Sequence, residues 1–235
     1  MIRLQSLTKQ YGTLTVLNHI TFEINRGDFF ALLGPNGAGK TTMIRILLDF
    51  TRADSGNAII NGISSRLPGA RKGIGYLPEN LNLPAYLSGR EYLLRHAGLC
   101  DLSGKEAEKA IERVLEIVGM KERQRSHCGT YSKGMVQRIG LAASLIFSPQ
   151  LLILDEPTNG LDPIGIREFR IILENLKQQG TTLFLNSHIL SEVERICDTV
   201  AVMDKGNLLV KDAISNLLYE GETLEDVFVR LVGKK

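Results

Sequence analysis

The run Gly34-Pro35-Asn36-Gly37-Ala38-Gly39-Lys40-Thr41 has the residue types and spacing to hold a triphosphate. Its glycines let backbone N–H groups converge on phosphate oxygens, and the helix expected to follow adds the positive end of its dipole. Lys40 offers a point charge to the β- and γ-phosphates, and the Thr41 hydroxyl is a ligand for Mg²⁺. A second candidate is the pair Asp155-Glu156, which ends the apolar run Leu151-Leu152-Ile153-Leu154. Open α/β sheets bind ligands at the carboxyl ends of such strands. Neighbouring strand side chains point to opposite faces, so the two carboxylates serve one site only if the chain bends there. On that condition Asp155 is a carboxylate that meets Mg²⁺ through the metal's water, and Glu156 is the base that polarises an attacking water.

A third candidate precedes that strand. Ser132-Lys133-Gly134 opens a stripe of Ile139, Ala142, Ala143 and Ile146, as a helix N-terminus would. A serine hydroxyl, a glycine that permits close approach and free N–H groups make an anion site. A plain N-cap explains the same serine equally well. His188, in Leu185-Asn186-Ser187-His188, follows an expected strand; it is either a hydrogen-bonding partner for a γ-phosphate or a structural histidine.

The elements that must position these residues follow from periodicity. Thr21 to Asn25 alternates like a half-exposed antiparallel strand, and Phe29 to Leu33 is a continuous apolar run, as in a strand buried on both faces. Thr41 to Phe50 carries Met43, Ile46, Leu47 and Phe50 at helical spacing. Further strands are expected at Asn57 to Gly62 and Gly73 to Leu77. From about Pro78 to Pro149 the pattern is helical. Ser88 with Glu91, and Ser103 with Glu106, both fit a capping box, and Ala107, Ala110, Ile111, Val114, Leu115 and Val118 form a stripe ending at Gly119. The α/β pattern returns with a strand at Leu151 to Leu154, a helix at Ile164 to Gln179 and a strand at Thr181 to Leu185. A hairpin is expected around Asp204-Lys205-Gly206-Asn207. Strands alternating with helices imply a mainly parallel sheet.

Bulk properties exclude several classes. A net charge of +2 in 235 residues makes no electrostatic case for a dedicated nucleic-acid binder. The three cysteines are far apart and lack metal-ligand spacing, which suits reduced thiols in a cytoplasmic protein. No stretch approaches the ~20 apolar residues of a membrane span, and Met1 to Gln5 opens without an apolar signal region, so any membrane role is expected to pass through a partner.

Taken in order, these motifs resemble those of the nucleotide-binding subunits of ATP-binding cassette (ABC) transporters, over nearly the whole chain. Gly34 to Thr42 resembles the Walker A loop, Leu151 to Glu156 the Walker B strand, and Ser132 to Met135 the family signature. Gly160-Leu161-Asp162-Pro163 resembles the D-loop and His188 the switch histidine. Tyr11 matches the aromatic residue that stacks on adenine; as a packing tyrosine it needs no ligand. The resemblance implies nucleotide contacts from Tyr11, Gly34, Pro35, Asn36, Gly37, Ala38, Gly39, Lys40, Thr41, Thr42, Glu79, Ser132 and Gly134. It implies metal contacts from Thr41, Asp155 and Glu79, and catalytic roles for Glu156, His188 and Lys40. The implied fold is an α/β P-loop NTPase, with a RecA-like core at 1–77 and 150–220, antiparallel strands, a helical subdomain at 78–149 and a short C-terminal helix at 221–235.

Two segments depart from the family pattern. The usual Leu-Ser-Gly-Gly-Gln signature is Tyr131-Ser132-Lys133-Gly134-Met135 here, and Glu79 stands where a glutamine is expected. Lys133 either adds charge near the phosphates or faces solvent. These departures, with Leu224-Glu225-Asp226-Val227-Phe228, resemble the branch that energises export of drugs and polysaccharides. The resemblance implies hydrolysis of ATP with Mg²⁺ in a head-to-tail dimer, with a second copy or a related ATPase subunit. It also implies an integral-membrane permease as partner, no nucleic acid, and a place on the cytoplasmic face of the membrane. The alternative is a soluble cassette ATPase acting on ribosomes or DNA repair complexes. Such proteins usually carry two cassettes or a long coiled-coil insert, and neither is visible in this sequence. A small-molecule kinase would leave Ser132 to Met135 unexplained.

Overall fold

The N-terminal residues form two long antiparallel strands, β1 (Ile2–Tyr11) and β2 (Leu14–Ile24). The structure, a computed structural model, describes residues 1–233, so Lys234 and Lys235 of the expected C-terminal segment lie outside the described residues. β2 reaches well upstream of the alternation visible at Thr21 to Asn25. His19, at φ 51°, shifts the phase, so Leu17 rather than Asn18 is buried alongside Ile20. An extra residue of this kind is a β-bulge, and it hides the strand from a period-of-two reading.

The buried strand β3 (Phe29–Leu33) leads into α1 (Lys40–Leu47), β4 (Ser55–Ile60) and β5 (Ile63–Ser64). The antiparallel sheet has the order β2-β1-β4-β5. α1 stops three residues short of the expected Phe50. Asp49 turns left-handed at φ 61°, the Phe50 N–H returns to the Arg45 carbonyl at 2.8 Å, and the Asp49 N–H returns to Ile46 at 3.2 Å. That pair of bonds is a Schellman stop. It removes Phe50 from the apolar stripe and leaves it 60% exposed.

Residues Gly73–Gln179 make one compact unit, and Met1–Lys72 with the chain from Gly180 onward makes the other. The first of these contains β6 (Ile74–Leu77), α2 (Gly89–Leu99), α3 (Gly104–Ile117), α4 (Lys133–Ser144), β7 (Leu151–Asp155) and α5 (Pro163–Gln178). β6 and β7 pair in parallel, and α2, α3 and α4 pack on one another around Leu93, Ile111 and Ile139. Ser88 forms its capping box: its hydroxyl accepts the Glu91 N–H at 3.2 Å and its own N–H reaches the Glu91 carboxylate at 2.7 Å. The expected box at Ser103 does not form. Ser103 is the N-cap residue, but its side chain makes no capping bond, and Gly104 enters α3 at φ 53°.

The other unit is completed by β8 (Thr182–Asn186), α6 (Leu190–Ile196), β9 (Thr199–Asp204), β10 (Asn207–Ala213), α7 (Ile214–Leu217) and α8 (Leu224–Val232). β3 lies between β8 and β9, parallel to both, and β10 closes the edge as an antiparallel hairpin with β9. β3 and β8 are buried along their whole length, and for β3 this appears in the sequence as an unbroken apolar run. α6 is too short to have shown a period in sequence.

Asp54 ties the approach to β4 to the end of β1. Its carboxylate accepts the Gln10 N–H at 2.6 Å and the Lys9 ammonium at 2.9 Å. These bonds, the Gln10 N–H first, hold the Asp54 carboxyl below its ordinary value of 3.8. A lowered folded-state pKa adds stability above the unfolded value, and that stability is lost as pH falls through the folded one. Unfolding titrations are therefore expected to show an acid limb below pH 3.8 that is shallower in Asp54→Asn. An unchanged limb in the variant would remove this role from Asp54.

Candidate nucleotide site

β3 delivers the chain into the glycine-rich loop, and α1 leaves it at Lys40. Gly39 is the N-cap residue at φ 102°, and a Cβ there would sit 2.9 Å from Leu17 Cδ2 and closer still to the Val16 carbonyl oxygen. Only glycine allows the loop to lie this near β2. The loop is also held from the β9–β10 hairpin: the Gly206 N–H donates to the Ala38 carbonyl at 3.2 Å, and the Asn18 N–H donates to Gly206 at 2.8 Å. Ala38 and Gly39 are buried by these contacts, whereas Asn36, Gly37 and Thr41 are exposed.

Lys40 is only 7% exposed, and its Nζ donates to the carbonyls of Gly34 at 2.6 Å and Pro35 at 3.1 Å. The ammonium is thus folded back over its own loop. The first intrahelical bond runs from the Met43 N–H to Gly39 at 3.0 Å, so the N–H groups of Lys40, Thr41 and Thr42 belong to the open first turn. Together these groups form an anion cradle, with Thr41 presenting its hydroxyl at the rim.

In the same unit, Tyr11 ends β1 at the hairpin and is 49% exposed, with Lys9 Nζ 5.1 Å from its ring centre. His188 follows β8 and is exposed, one residue beyond Ser187, which is 3% exposed and whose hydroxyl accepts the Ile189 N–H at 3.1 Å.

In the unit formed by Gly73–Gln179, β7 is buried throughout, with Asp155 3% exposed at its end. Glu156 departs from the strand at φ 49°, a left-handed conformation uncommon for a residue with a side chain. The chain therefore bends between the two carboxylates, which is the condition set by the sequence for both to serve one site. The turn continues with the Asn159 N–H bonded to the Glu156 carbonyl at 3.2 Å. The Asn159 side chain then donates to Glu79 Oε1, also at 3.2 Å. Glu79 is thereby brought to the turn that follows Glu156. Asn159, which sequence reading passed over, makes this connection.

Ser132 caps α4, its hydroxyl accepting the Met135 N–H at 3.3 Å. The plain N-cap is therefore formed, and the N–H groups of Lys133 and Gly134 remain in the open first turn. Tyr131 fixes the approach: its hydroxyl donates to the Arg123 carbonyl at 2.8 Å, and burial pushes its phenol up. Lys133 is exposed, but its side chain lies over the Gly160 turn in the space a Cβ there would take. Ser132, Lys133 and Gly134 share a surface hollow of about 500 Å³ with Gly160, Leu161, Asp162 and Gly165. Asp162 caps α5 by accepting the Gly165 N–H at 2.7 Å.

Thr41 in one unit, and Asp155 and Glu79 in the other, each carry a hard oxygen of the kind Mg²⁺ takes, and the described residues contain no cluster of three or more His, Cys, Asp or Glu that could hold a metal ion.

Residues 17–159 match the ABC transporter family. The chain is 40% identical to the lantibiotic transport ATP-binding protein SrtF of Streptococcus pyogenes, over 97% of this chain and 96% of that protein. It is 42% identical to the bacitracin transport ATP-binding protein BcrA of Bacillus licheniformis, over 89% of this chain and 68% of the relative. Other relatives are longer: the chain matches 61% of the length of an uncharacterized ABC transporter ATP-binding protein of Nostoc sp. and 60% of one from Synechocystis sp.. A solved ATP-binding subunit of an ABC transporter superposes with a TM-score of 0.88 at 30% identity, over 98% of this chain and 99% of that one. The fold is that of an ABC ATPase cassette, a P-loop NTPase. The chain belongs to the ABC transporter family.

The packing behind the loop yields a direct expectation. Gly39→Ala combines a strained φ with a collision at β2 and should destabilise the unliganded chain by about 1–3 kcal/mol. Urea unfolding measures it, and an unchanged midpoint would contradict the described contact.

Proposed function

We propose that this chain is the ATP-binding and ATP-hydrolysing subunit of an ABC transporter, that it pairs head-to-tail with a second ATPase subunit on binding ATP, and that it drives a separate membrane permease. The observation that carries the proposal is the presence, on one chain of this family, of two distinct anion-ready helix starts. One is the Gly34–Thr41 cradle with its buried Lys40, and the other is the Ser132–Gly134 turn. A head-to-tail pair gives each a use: the first holds the chain's own nucleotide, and the second closes over the nucleotide of its neighbour.

In this reading Lys40 and the loop N–H groups orient the triphosphate, and Tyr11 stacks on the base. Thr41 would hold Mg²⁺ directly and Asp155 through the metal's water, with Glu79 as a further oxygen ligand. When bound, the metal supplies charge neutralisation on the phosphate oxygens. Glu156 accepts a proton from the attacking water, and His188 donates a hydrogen bond to the γ-phosphate. Closure of the pair excludes bulk water, and loss of the γ-phosphate charge removes the reason for closure, a ligand-driven change of population between two states. The helical region at 78–149 and the Glu79 segment pass that change to the permease.

No helix among the described residues is long and apolar enough to cross a membrane; in this reading the permease supplies the span. The names of the bacitracin and lantibiotic relatives support an exporter. The peripheral position is then the cytoplasmic face of the membrane, and cargo selectivity resides in the permease.

Glu156→Gln should abolish turnover, retain ATP binding and accumulate an ATP-bound dimer on size-exclusion chromatography; undiminished hydrolysis would take the base role from Glu156. Ser132→Arg should block hydrolysis while leaving nucleotide affinity of the isolated subunit unchanged. Normal activity in that variant would argue against a site shared between two chains. Detergent pull-down should recover a multi-span membrane protein, whereas co-sedimentation with ribosomes would favour the soluble alternative.

A further inference from the structure

Lys9 carries a charge that the proposed reaction does not use, yet its side chain is only 12% exposed. Lysine is rarely covered to that extent unless it is paired. Two groups meet this ammonium. The Asp54 carboxylate lies 2.9 Å from Lys9 Nζ, and the centre of the Tyr11 ring lies 5.1 Å from it. The second distance is within the range at which the π-face of an aromatic ring attracts a cation.

The backbone braces this arrangement. Asp54 immediately precedes β4; its N–H donates to the Thr8 carbonyl at 2.9 Å, and its carboxylate accepts the Gln10 N–H at 2.6 Å. One residue thus grips β1 on both sides of Lys9 and also holds the Lys9 ammonium. The Gln10 side chain donates to the Thr15 hydroxyl at 3.2 Å, across the hairpin whose last pair is Tyr11 with Leu14. An ion pair that only stitched β1 to the approach of β4 could keep its lysine head in water, as long cationic side chains usually do. Here the ammonium lies over the Tyr11 ring instead.

We infer that Lys9 is a positioning residue for the base of the nucleotide: its ammonium backs one face of the Tyr11 ring and holds the ring for a purine on the other face. A cation on one face also draws π density from the ring, which favours contact of the opposite face with an electron-rich base. The inference rests on the functional reading above, in which Tyr11 stacks on the base, and adds the group that sets the place and charge of that ring. Lys9 then serves base recognition alone, and the Gly34–Thr41 cradle serves the phosphates.

The test is the affinity of the full chain for ATP and for inorganic tripolyphosphate, measured by calorimetry on Lys9→Met, Tyr11→Ala and the double variant. Lys9→Met keeps the length of the side chain and removes its charge. It should weaken ATP binding about threefold, the size of an exposed cation–π contact. Tripolyphosphate, which has no base, should bind as it does to the parent. Tyr11→Ala should weaken ATP binding further than Lys9→Met does. In the Tyr11→Ala background Lys9→Met should cost nothing more, as expected of two residues that act through one contact.

Parent ATP affinity in Lys9→Met, beside a loss in Tyr11→Ala, would overturn the inference. So would tripolyphosphate affinity that falls in step with that for ATP, since a charge acting on phosphates or a general packing defect would do this. A further loss on adding Lys9→Met to Tyr11→Ala would overturn it as well. Should Lys9→Met fail to fold, Lys9→Gln, which can still hydrogen-bond Asp54 but carries no charge, decides by the same two affinities. If Tyr11→Ala itself binds ATP as the parent does, the stacking reading has failed, and not the role of Lys9 alone.

Discussion

The glycine-rich loop depends on a contact that excludes every side chain. Gly39 lies so close to the Val16 carbonyl that a Cβ has no room, and its φ of 102° suits glycine. This fixes where α1 begins, and with it the direction of the first-turn N–H groups. Lys40, the next residue, is then placed to fold its ammonium back over Gly34 and Pro35. β2 and the β9–β10 hairpin hold the loop from behind through Asn18, Gly206 and Ala38. The antiparallel strands therefore have a mechanical use: they brace a loop that could not hold its shape alone.

The second unit solves a different problem, that of ending a buried strand in two carboxylates with distinct environments. Asp155 keeps the strand's burial, and Glu156 leaves it through a left-handed backbone conformation. Strain of this sort persists only where surrounding bonds over-determine it. Here the return bond from Asn159 and its side-chain contact with Glu79 supply part of that support. The Tyr131 hydroxyl and the Ser132 cap set the entry into α4. Tyrosine in place of the family's usual leucine therefore has a local explanation. The ring is partly buried, and its hydroxyl satisfies a backbone carbonyl that leucine could not reach.

Much of the site was legible because its chemistry is local. Glycine-rich turns, a serine before a helix and a carboxylate pair after an apolar run are arrangements of neighbours, and neighbours are what a sequence shows. β3 and β7 were legible because burial on both faces leaves an unbroken apolar run up to the end of the strand. Errors arose where a single residue changed the phase or ended an element. His19 inserts a bulge that conceals half of β2, and Asp49 stops α1 before Phe50. Ser103 has the right neighbour at Glu106, yet its side chain makes no capping bond. Each depends on backbone dihedrals that residue types constrain only weakly.

The sequence by itself determined the class of chemistry and the α/β alternation, because both rest on short-range spacing and on which residues can be buried. It also determined the family, since the order of several local motifs is more specific than any one of them. Only the tertiary structure decided that Glu156 turns away from Asp155's strand and that Asn159 joins Glu79 to that turn. Those facts depend on residues up to 80 positions apart, as Asn159 and Glu79 are. Distances between such residues are set by packing, where a single methyl group decides what fits.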